Sequence, residues 1–314
     1  MNDVCLVTGG SGFIGSHLVD ALTAAGKSVR ILDDFSTGSR ENLKHLTKQP
    51  EIITGSVTDP AVVDRAMQGV GVVFHLAAMA SVAKSLEDPL LCHAVCATGT
   101  LNVLDAARKH GVKRVVYAAS SSAYGTASDP AGQSEDTPLN PLSPYAAAKL
   151  AGEHYLEAYA KSFGVETVRL RFFNIFGPRQ RADSPYSGVI AIFTGIMTAG
   201  RVPSVHGDGL QVRDFVYIEN CVQAIMKASE VPGVSGKVYN VGTGRSVTVL
   251  DLVQGLNKIL GTSVTPTHAA ARTGDVRFSL AKIERIKKDL GYEPLVSFED
   301  GLRRTIEWYQ AGGK

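Results

Sequence analysis

No CxxC pair occurs among the four cysteines of this 314-residue chain, and its eight histidines form no HxxxH or HExxH. The motif classes that use them, zinc ribbons, redox dithiols and helical zinc-hydrolase sites, are therefore absent. Cys5, Cys92, Cys96 and Cys221 read as reduced packing residues, and no metal is expected. Long runs of charge of one sign are missing too: 32 basic against 30 acidic residues leave a formal charge of +2. Nucleic acid is accordingly not the expected partner. The N-terminus has no basic region followed by an apolar stretch and a cleavage site. No apolar run approaches the roughly 20 residues that cross a bilayer, so no membrane association is expected and a cytoplasmic location is. Internal repeats and low-complexity segments are not found.

What is present is a globular composition, 44% hydrophobic and 20% charged. Single cores stop growing at roughly 250–300 residues, so this length implies one large domain with a smaller lobe. Apolar runs bounded by turns recur at Val4 to Val7, Val29 to Leu32, Val70 to His75, Val115 to Ala118 and Thr167 to Phe172. Segments of helical spacing lie between them, among them Phe13 to Ala25, Pro89 to His110 and Tyr145 to Phe163. This alternation predicts an α/β fold with a doubly wound parallel sheet. Residues 1–173 form the predicted nucleotide-binding domain, rejoined by about 214–245. Residues 174–314 make up most of a smaller, discontinuous α/β substrate lobe.

TGGSGFIG, residues 8 to 15, falls between the first strand and the first helix, with Gly10, Gly12 and Gly15 in GxGxxG spacing and Gly9 before them. Glycines let the backbone approach a pyrophosphate, whose charge meets the free amides of a helix start. Asp33, at the end of the second strand, is placed to accept from the adenosine ribose hydroxyls and to repel a 2′-phosphate. NAD is thus expected over NADP. Downstream, SPYAAAK sets Tyr145 four residues before Lys149, on one helical face. Tyrosine titrates near 10, so a base near neutral pH needs a drop of about 3 pH units, roughly 4 kcal/mol in favour of phenolate. A nearby ammonium and the positive nicotinamide ring can supply it.

Together TGGSGFIG, YAASSSAYG, SPYAAAK and RFFNIFGPRQ resemble the extended short-chain dehydrogenase/reductases, in their nucleotide-sugar epimerase and dehydratase branch. The resemblance extends over essentially the whole chain, and VHGDGLQVRDFVYIEN and ARTGDVRFS resemble the UDP-sugar 4-epimerases within it. It implies Ser120, Tyr145 and Lys149 as catalytic residues. For NAD it implies Gly9, Gly12, Phe13, Ile14 and Gly15 in the loop, and Asp33 and Asp34 after the second strand. Ser56 and Val57 follow the third strand, Leu76, Ala77 and Ala78 the fourth, and Phe172 closes the sixth. One departure stands out: the family's Gly-Asp pair, whose Asp reaches the adenine, is Gly55-Ser56 here.

For a UDP-sugar the resemblance implies Ser81, Ser121, Ser122, Asn174 and Val189. Arg213 and Arg272 match the arginines that grip the diphosphate, Asp275 the acid on the uridine ribose, and Val205 and His206 the strand that meets uracil. Dehydratases resemble one another in Asp-Glu after the catalytic Ser/Thr, and the decarboxylases carry a Glu at the second position; Ser121 and Ser122 supply neither carboxylate. The expectation is 4-epimerisation through a 4-keto sugar, in a homodimer formed through paired helices. Ser279 replaces a bulky tyrosine of the hexose-restricted epimerases and leaves room for an N-acetyl group. Arg181 instead matches an arginine that meets the carboxylate in glucuronate epimerases, so UDP-glucuronate stays an alternative. A non-catalytic NAD-binding regulator is the alternative of another class.

Overall fold

The structure is a computed structural model that describes residues 4–126, 129–182, 187–271 and 276–313. Six parallel strands run in chain order: β1 (Val4–Thr8), β2 (Ser28–Asp33), β3 (Glu51–Thr54), β4 (Val70–His75), β5 (Arg114–Ser120) and β6 (Glu166–Phe172). A seventh, Lys237–Val241, pairs parallel with β6. Across the sheet the order is Lys237–Val241, β6, β5, β4, β1, β2, β3. The direction of winding reverses between β1 and β4. At such a switch point the connections leave in opposite directions and open a crevice at the carboxyl ends of the strands.

Both faces of the sheet are covered, as the apolar runs of its central strands β1, β4 and β5 require. Leu6, Leu32, Val73, Val115 and Tyr117 point to one face and pack with Val63, Val103, Leu104 and Leu156. These last belong to α2 (Pro60–Met67), α5 (Gly99–Lys109) and α6 (Pro144–Phe163). On the other face Val7, Ile31, Phe74 and Val116 pack with Leu18, Val19 and Leu22 of α1 (Phe13–Ala24) and with Cys221 and Ile225 of helix Ile218–Glu230. Each fully buried Leu or Ile here contributes about 1.5–3 kcal/mol.

The helix expected from Pro89 to His110 is present as a continuous Pro89–Lys109, made of α4 (Pro89–His93), a π-helical stretch Ala94–Thr98 and α5, and preceded by the short α3 (Val82–Glu87). The same stretch, Pro89–Lys109, is 21 residues long and apolar enough to span a bilayer by composition, although half of it is packed inside the protein. α2 was not among the expected elements, and β3 was expected only from the resemblance, which sets Gly55-Ser56 after a third strand. β3 is a four-residue edge strand without a buried residue, so it lacks an apolar run. α2 does announce itself, with Pro60 in its first turn and an Asp59 cap that accepts from the Ala61 and Val62 amides.

Past β6 the chain forms small parallel pairs. Asn174–Phe176 pairs with Phe215–Tyr217, and Ser204–His206 with Thr267–Ala269. Val212–Arg213 lies between Val247–Thr248 and Phe278–Ser279.

Candidate active site

At the switch point, Gly9 leaves β1 with φ 71°, and α1 begins at Phe13. A Cβ on Gly15 would stand 2.1 Å from the Gly9 carbonyl oxygen, so only glycine lets the helix start this close to the loop. Side chains cap α2, α3 and α6 through Asp59, Ser81 and Ser143, whereas α1 has Gly12 at its cap and no side-chain hydrogen bond there. The amides of the first turn, at Phe13 and Ile14, are therefore left for an anion. This cradle fits the pyrophosphate of a dinucleotide. Leu76 and Ala77 lie against it, their amides donating to the Thr8 carbonyl and hydroxyl at 3.2 Å each.

Asp33 is buried where β2 ends. Its Oδ2 accepts from the Ser11 amide and its Oδ1 from the Phe35 amide, both at 2.8 Å. Burial pushes its carboxyl up while the two amides pull it back. Each oxygen keeps a lone pair that a ribose hydroxyl can use. Asp34 is exposed and accepts from the Ser36 amide in a local turn. The Ser56 hydroxyl accepts from the Thr58 amide and hydroxyl. Val57 is buried against Gly99 of α5, where an added Cβ would meet it at 2.6 Å. Among these, Asp33 has the geometry of a ribose acceptor, while Val57 serves the packing of α5.

Ser120 ends β5, opposite Phe172 in the register with β6. Its Oγ accepts from the Ser122 amide at 3.2 Å and from the Ser122 hydroxyl at 2.9 Å. Tyr145 and Lys149 occupy the first turns of α6, which Ser143 caps and Pro144 starts. Burial raises the Tyr145 pKa above that of free tyrosine, and a hydrogen bond with Ser120 pulls it down. Lys149 is 2% exposed, and its Nζ stands 4.1 Å from the Tyr117 ring centroid. Burial lowers its pKa to about 8. Ser120 and Tyr145 are thus in contact, with Lys149 one helical turn further along α6.

Sequence reasoning missed what lies beneath. His75 Nδ1 pairs with Thr8 Oγ1 at 2.7 Å and its Nε2 with Thr100 Oγ1 at 3.0 Å, so β1, β4 and α5 are tied at the site's floor. Burial, then the Lys149 charge, lowers its pKa to about 3 and keeps it neutral. A lone histidine ending an apolar strand was the available signal.

Of the substrate candidates, Arg213 and Ser279 are register partners in adjacent strands. Arg213 Nη1 donates to the carbonyls of Val212 and Val276 at 2.8 and 2.7 Å, which anchors the guanidinium to backbone. Asn174 Nδ2 donates to the Asp214 carbonyl at 3.1 Å. The buried Asp214 carboxylate accepts from the Thr243, Gly244 and Ala281 amides at 2.8, 3.0 and 3.2 Å. Val205 is buried, and His206 Nδ1 pairs with the Ala270 carbonyl at 3.1 Å. Val189 opens helix Val189–Thr198, and Arg181 is exposed, its carbonyl accepting from the Ser187 hydroxyl. Ser81 caps α3, its hydroxyl accepting from the Lys84 amide at 3.2 Å. Arg272 and Asp275 lie outside the described residues.

Gln133 laces the loop after Ser120 to the segment carrying Ser279. Its amide donates to the Leu280 carbonyl at 2.8 Å and its Nε2 to the Phe278 carbonyl at 3.0 Å. Its Oε1 accepts from the Leu280 amide at 3.1 Å, and its carbonyl from the Lys282 amide at 2.8 Å.

Residues 5–242 match the NAD dependent epimerase/dehydratase family. A UDP-glucose 4-epimerase of Mycolicibacterium smegmatis is 38% identical, over 97% of this chain and 98% of its own. The structure of a UDP-glucose 4-epimerase from Thermotoga maritima with UDP-glucose superposes with a TM-score of 0.94 at 38% identity, over 98% of this chain and 99% of that one. A UDP-N-acetylglucosamine 4-epimerase from Methanobrevibacter ruminantium, in complex with UDP-N-acetylmuramic acid, gives 0.93 at 35% identity and 99% of both chains. Relatives at 32% identity include proteins named as a decarboxylase and as a 4,6-dehydratase.

Proposed function

Because this chain belongs to the NAD-dependent epimerase/dehydratase family and its cofactor is NAD, we propose that it inverts C4 of a UDP-hexose, UDP-glucose or UDP-N-acetylglucosamine, through a transient 4-keto sugar. One observation carries the choice among the family's reactions: the turn after Ser120 is Ser121-Ser122-Ala123-Tyr124 and contains no carboxylate. Elimination from the 4-keto sugar needs an acid and a base at that turn, whereas oxidation and reduction at C4 need only a group that takes and returns one proton.

In this reading Phe13 and Ile14 offer amides to the pyrophosphate and Asp33 accepts from the ribose hydroxyls. Bound NAD would supply the acceptor and later the donor of hydride at C4 and, in its oxidised form, a positive charge. Tyr145 takes the C4 hydroxyl proton and, after the ketose has turned and C4 has received hydride on its other face, returns the proton to the C4 oxygen. Ser120 holds the C4 oxygen and donates to the phenolate. Lys149 supplies the cation that keeps that phenolate accessible. Burial alone drives Tyr145 the wrong way for a base, so this role belongs to the loaded protein. Arg213 and Asn174 face the diphosphate, and Ser279, beside Arg213, leaves space at C2.

We assign residues 1–173 with about 214–245 to the cofactor half and most of 174–314 to the sugar half. Leu86, Leu90 and Leu91 on α3 and α4 and Tyr155 on α6 are exposed, which supports a homodimer through these helices; a monomeric mass by light scattering excludes it.

The deciding experiment incubates the protein separately with UDP-glucose, UDP-N-acetylglucosamine and UDP-glucuronate and reads the products by NMR. A C4 epimer of either neutral sugar is expected. Turnover of UDP-glucuronate alone transfers the reading to Arg181 and a carboxylate-bearing substrate, and a dehydrated or decarboxylated product overturns epimerisation itself.

A further inference from the structure

Along α6, Tyr145 and Lys149 are followed after one more turn by Glu153. Lys149 is 2% and Glu153 1% exposed. Four-residue spacing brings their Cβ atoms within about 5–6 Å on one face. Glu153 is closed from the far side by Arg171 of β6, itself 3% exposed. Nε of Arg171 donates to the two carboxylate oxygens at 3.0 and 3.1 Å and Nη2 to Oε2 at 2.8 Å. Arg171 Nη1 continues to the Tyr124 hydroxyl at 2.9 Å, which donates to Asn240 Oδ1 at 2.6 Å.

A buried ammonium without counter-charge tends to shed its proton. Among the described residues Lys149 makes no ion pair. The groups whose charge reaches it are Cys96 in the π-helical stretch, Glu153 on its own helix and Cys92 on α4; Tyr117 on β5 lies under its Nζ, His75 on β4 feels its charge, and Tyr145 precedes it by one turn of α6. His75 is held neutral, and burial pushes the Cys92 thiol up to about 12. Glu153 is the one carboxylate in this set. A free carboxylate at that distance would draw the flexible ammonium away from the phenol. A guanidinium fork that satisfies both oxygens prevents this while leaving some of the negative field on Lys149.

We propose that Glu153 and Arg171 are positioning residues for the acid–base pair: the carboxylate holds Lys149 in its charged form, and the guanidinium keeps that carboxylate from capturing it. This rests on the reading of Tyr145 and Lys149 given above. A pair that merely braced α6 against β6 would not distinguish the sign of the charge removed; this one does.

The test follows Lys149 by NMR in NAD-loaded protein with isotope-labelled lysine, its resonance assigned by loss in Lys149→Met. Glu153→Gln is expected to lower the Lys149 titration by about one pH unit, and Arg171→Gln to raise it. The alkaline limb of the kcat profile moves the same way. Glu153→Gln/Arg171→Gln removes both members of the ion pair and leaves neither of them unpaired, so it tests the idea even if a single variant does not fold; its Lys149 titrates between those of Glu153→Gln and the unmodified protein. Singles that move Lys149 in one direction, a titration that does not move, or a double variant above the unmodified protein overturn the proposal. If Lys149 responds as expected but Tyr145→Phe retains turnover, the acid–base reading fails while the charge pairing stands.

Discussion

Gly15→Ala puts a methyl group where the helix start and the loop leave no room for one. Its Cβ would lie 2.1 Å from the Gly9 oxygen, 2.8 Å from Gly10 Cα and 2.9 Å from the Gly9 carbonyl carbon, all backbone atoms that no rotamer change can move aside. Restoring ordinary contact requires the loop and the first turn of α1 to part by about 1 Å, at an overpacking cost of about 1–3 kcal/mol. Alanine returns about 1 kcal/mol of helix propensity, so the fold survives. The cradle does not, because a displacement of about 1 Å in groups that must converge on one ligand costs on the order of 100-fold. Gly10→Ala is the matched control: its Cβ meets the Ile31 side chain at 2.9 Å, and the strain goes into the core. The assay is NAD content per chain after gel filtration, with a melting curve for each variant. Gly15→Ala should emerge depleted of NAD with a modest loss in Tm, and Gly10→Ala should lose Tm while keeping NAD. Equal NAD content in the two variants refutes the steric account.

Tyr145→Phe is expected to keep fold and NAD and to lose turnover by orders of magnitude, measured as epimer formed per bound NAD. Lys149→Met should raise the pH needed for activity. It should also stabilise the NAD-free protein near neutral pH, because Lys149 titrates at about 8 when folded and at its ordinary 10.5 when unfolded. Between those values the unfolded chain binds the extra proton, so the unmodified protein gains on the variant as pH rises; parallel Tm curves would contradict this. Asp33→Ala should weaken NAD and reduce the bias against NADP in a titration with both cofactors. Ser279→Tyr should abolish turnover of UDP-N-acetylglucosamine while sparing UDP-glucose, and an equal fall on both would show only that the ring disrupts its strand.

The glycine turn into α1 and the placement of Tyr145 and Lys149 on one helix were legible because each depends on spacing within a short stretch of chain: glycines over eight residues, or two side chains one helical turn apart. Asp33 was legible for the same reason, as the last residue of an apolar strand. The π-helical turn at Ala94–Thr98 was not, since it preserves the apolar composition and changes only which carbonyl each amide finds. Nor were the pairings of His75 with Thr8 and Thr100, or of Glu153 with Arg171, because these join residues 67, 25 and 18 positions apart through strand order. Glu153 could have been suspected as the third member of a four-residue series. Its partner could not, since a strand places alternate residues on opposite faces and only the assembled sheet decides which face meets α6.

The lacing of Gln133 to residues 278–282 bears on how such a protein is made and on how it could be recombined. The bond from the Leu280 amide to Gln133 Oε1 spans 147 residues. During synthesis the bonds of Gln133 to residues 278–282 therefore form only when nearly the whole chain has emerged, after the strands β1 to β6 are available to pair. The family match ends at residue 242, so one partner in this seam lies inside it and the other outside. A hybrid that grafts a relative's C-terminal segment onto this cofactor half will carry new sugar preference only if the graft presents backbone to Gln133 in the same register; a graft displaced by one residue leaves a buried amide side chain facing the wrong groups and the loop adrift.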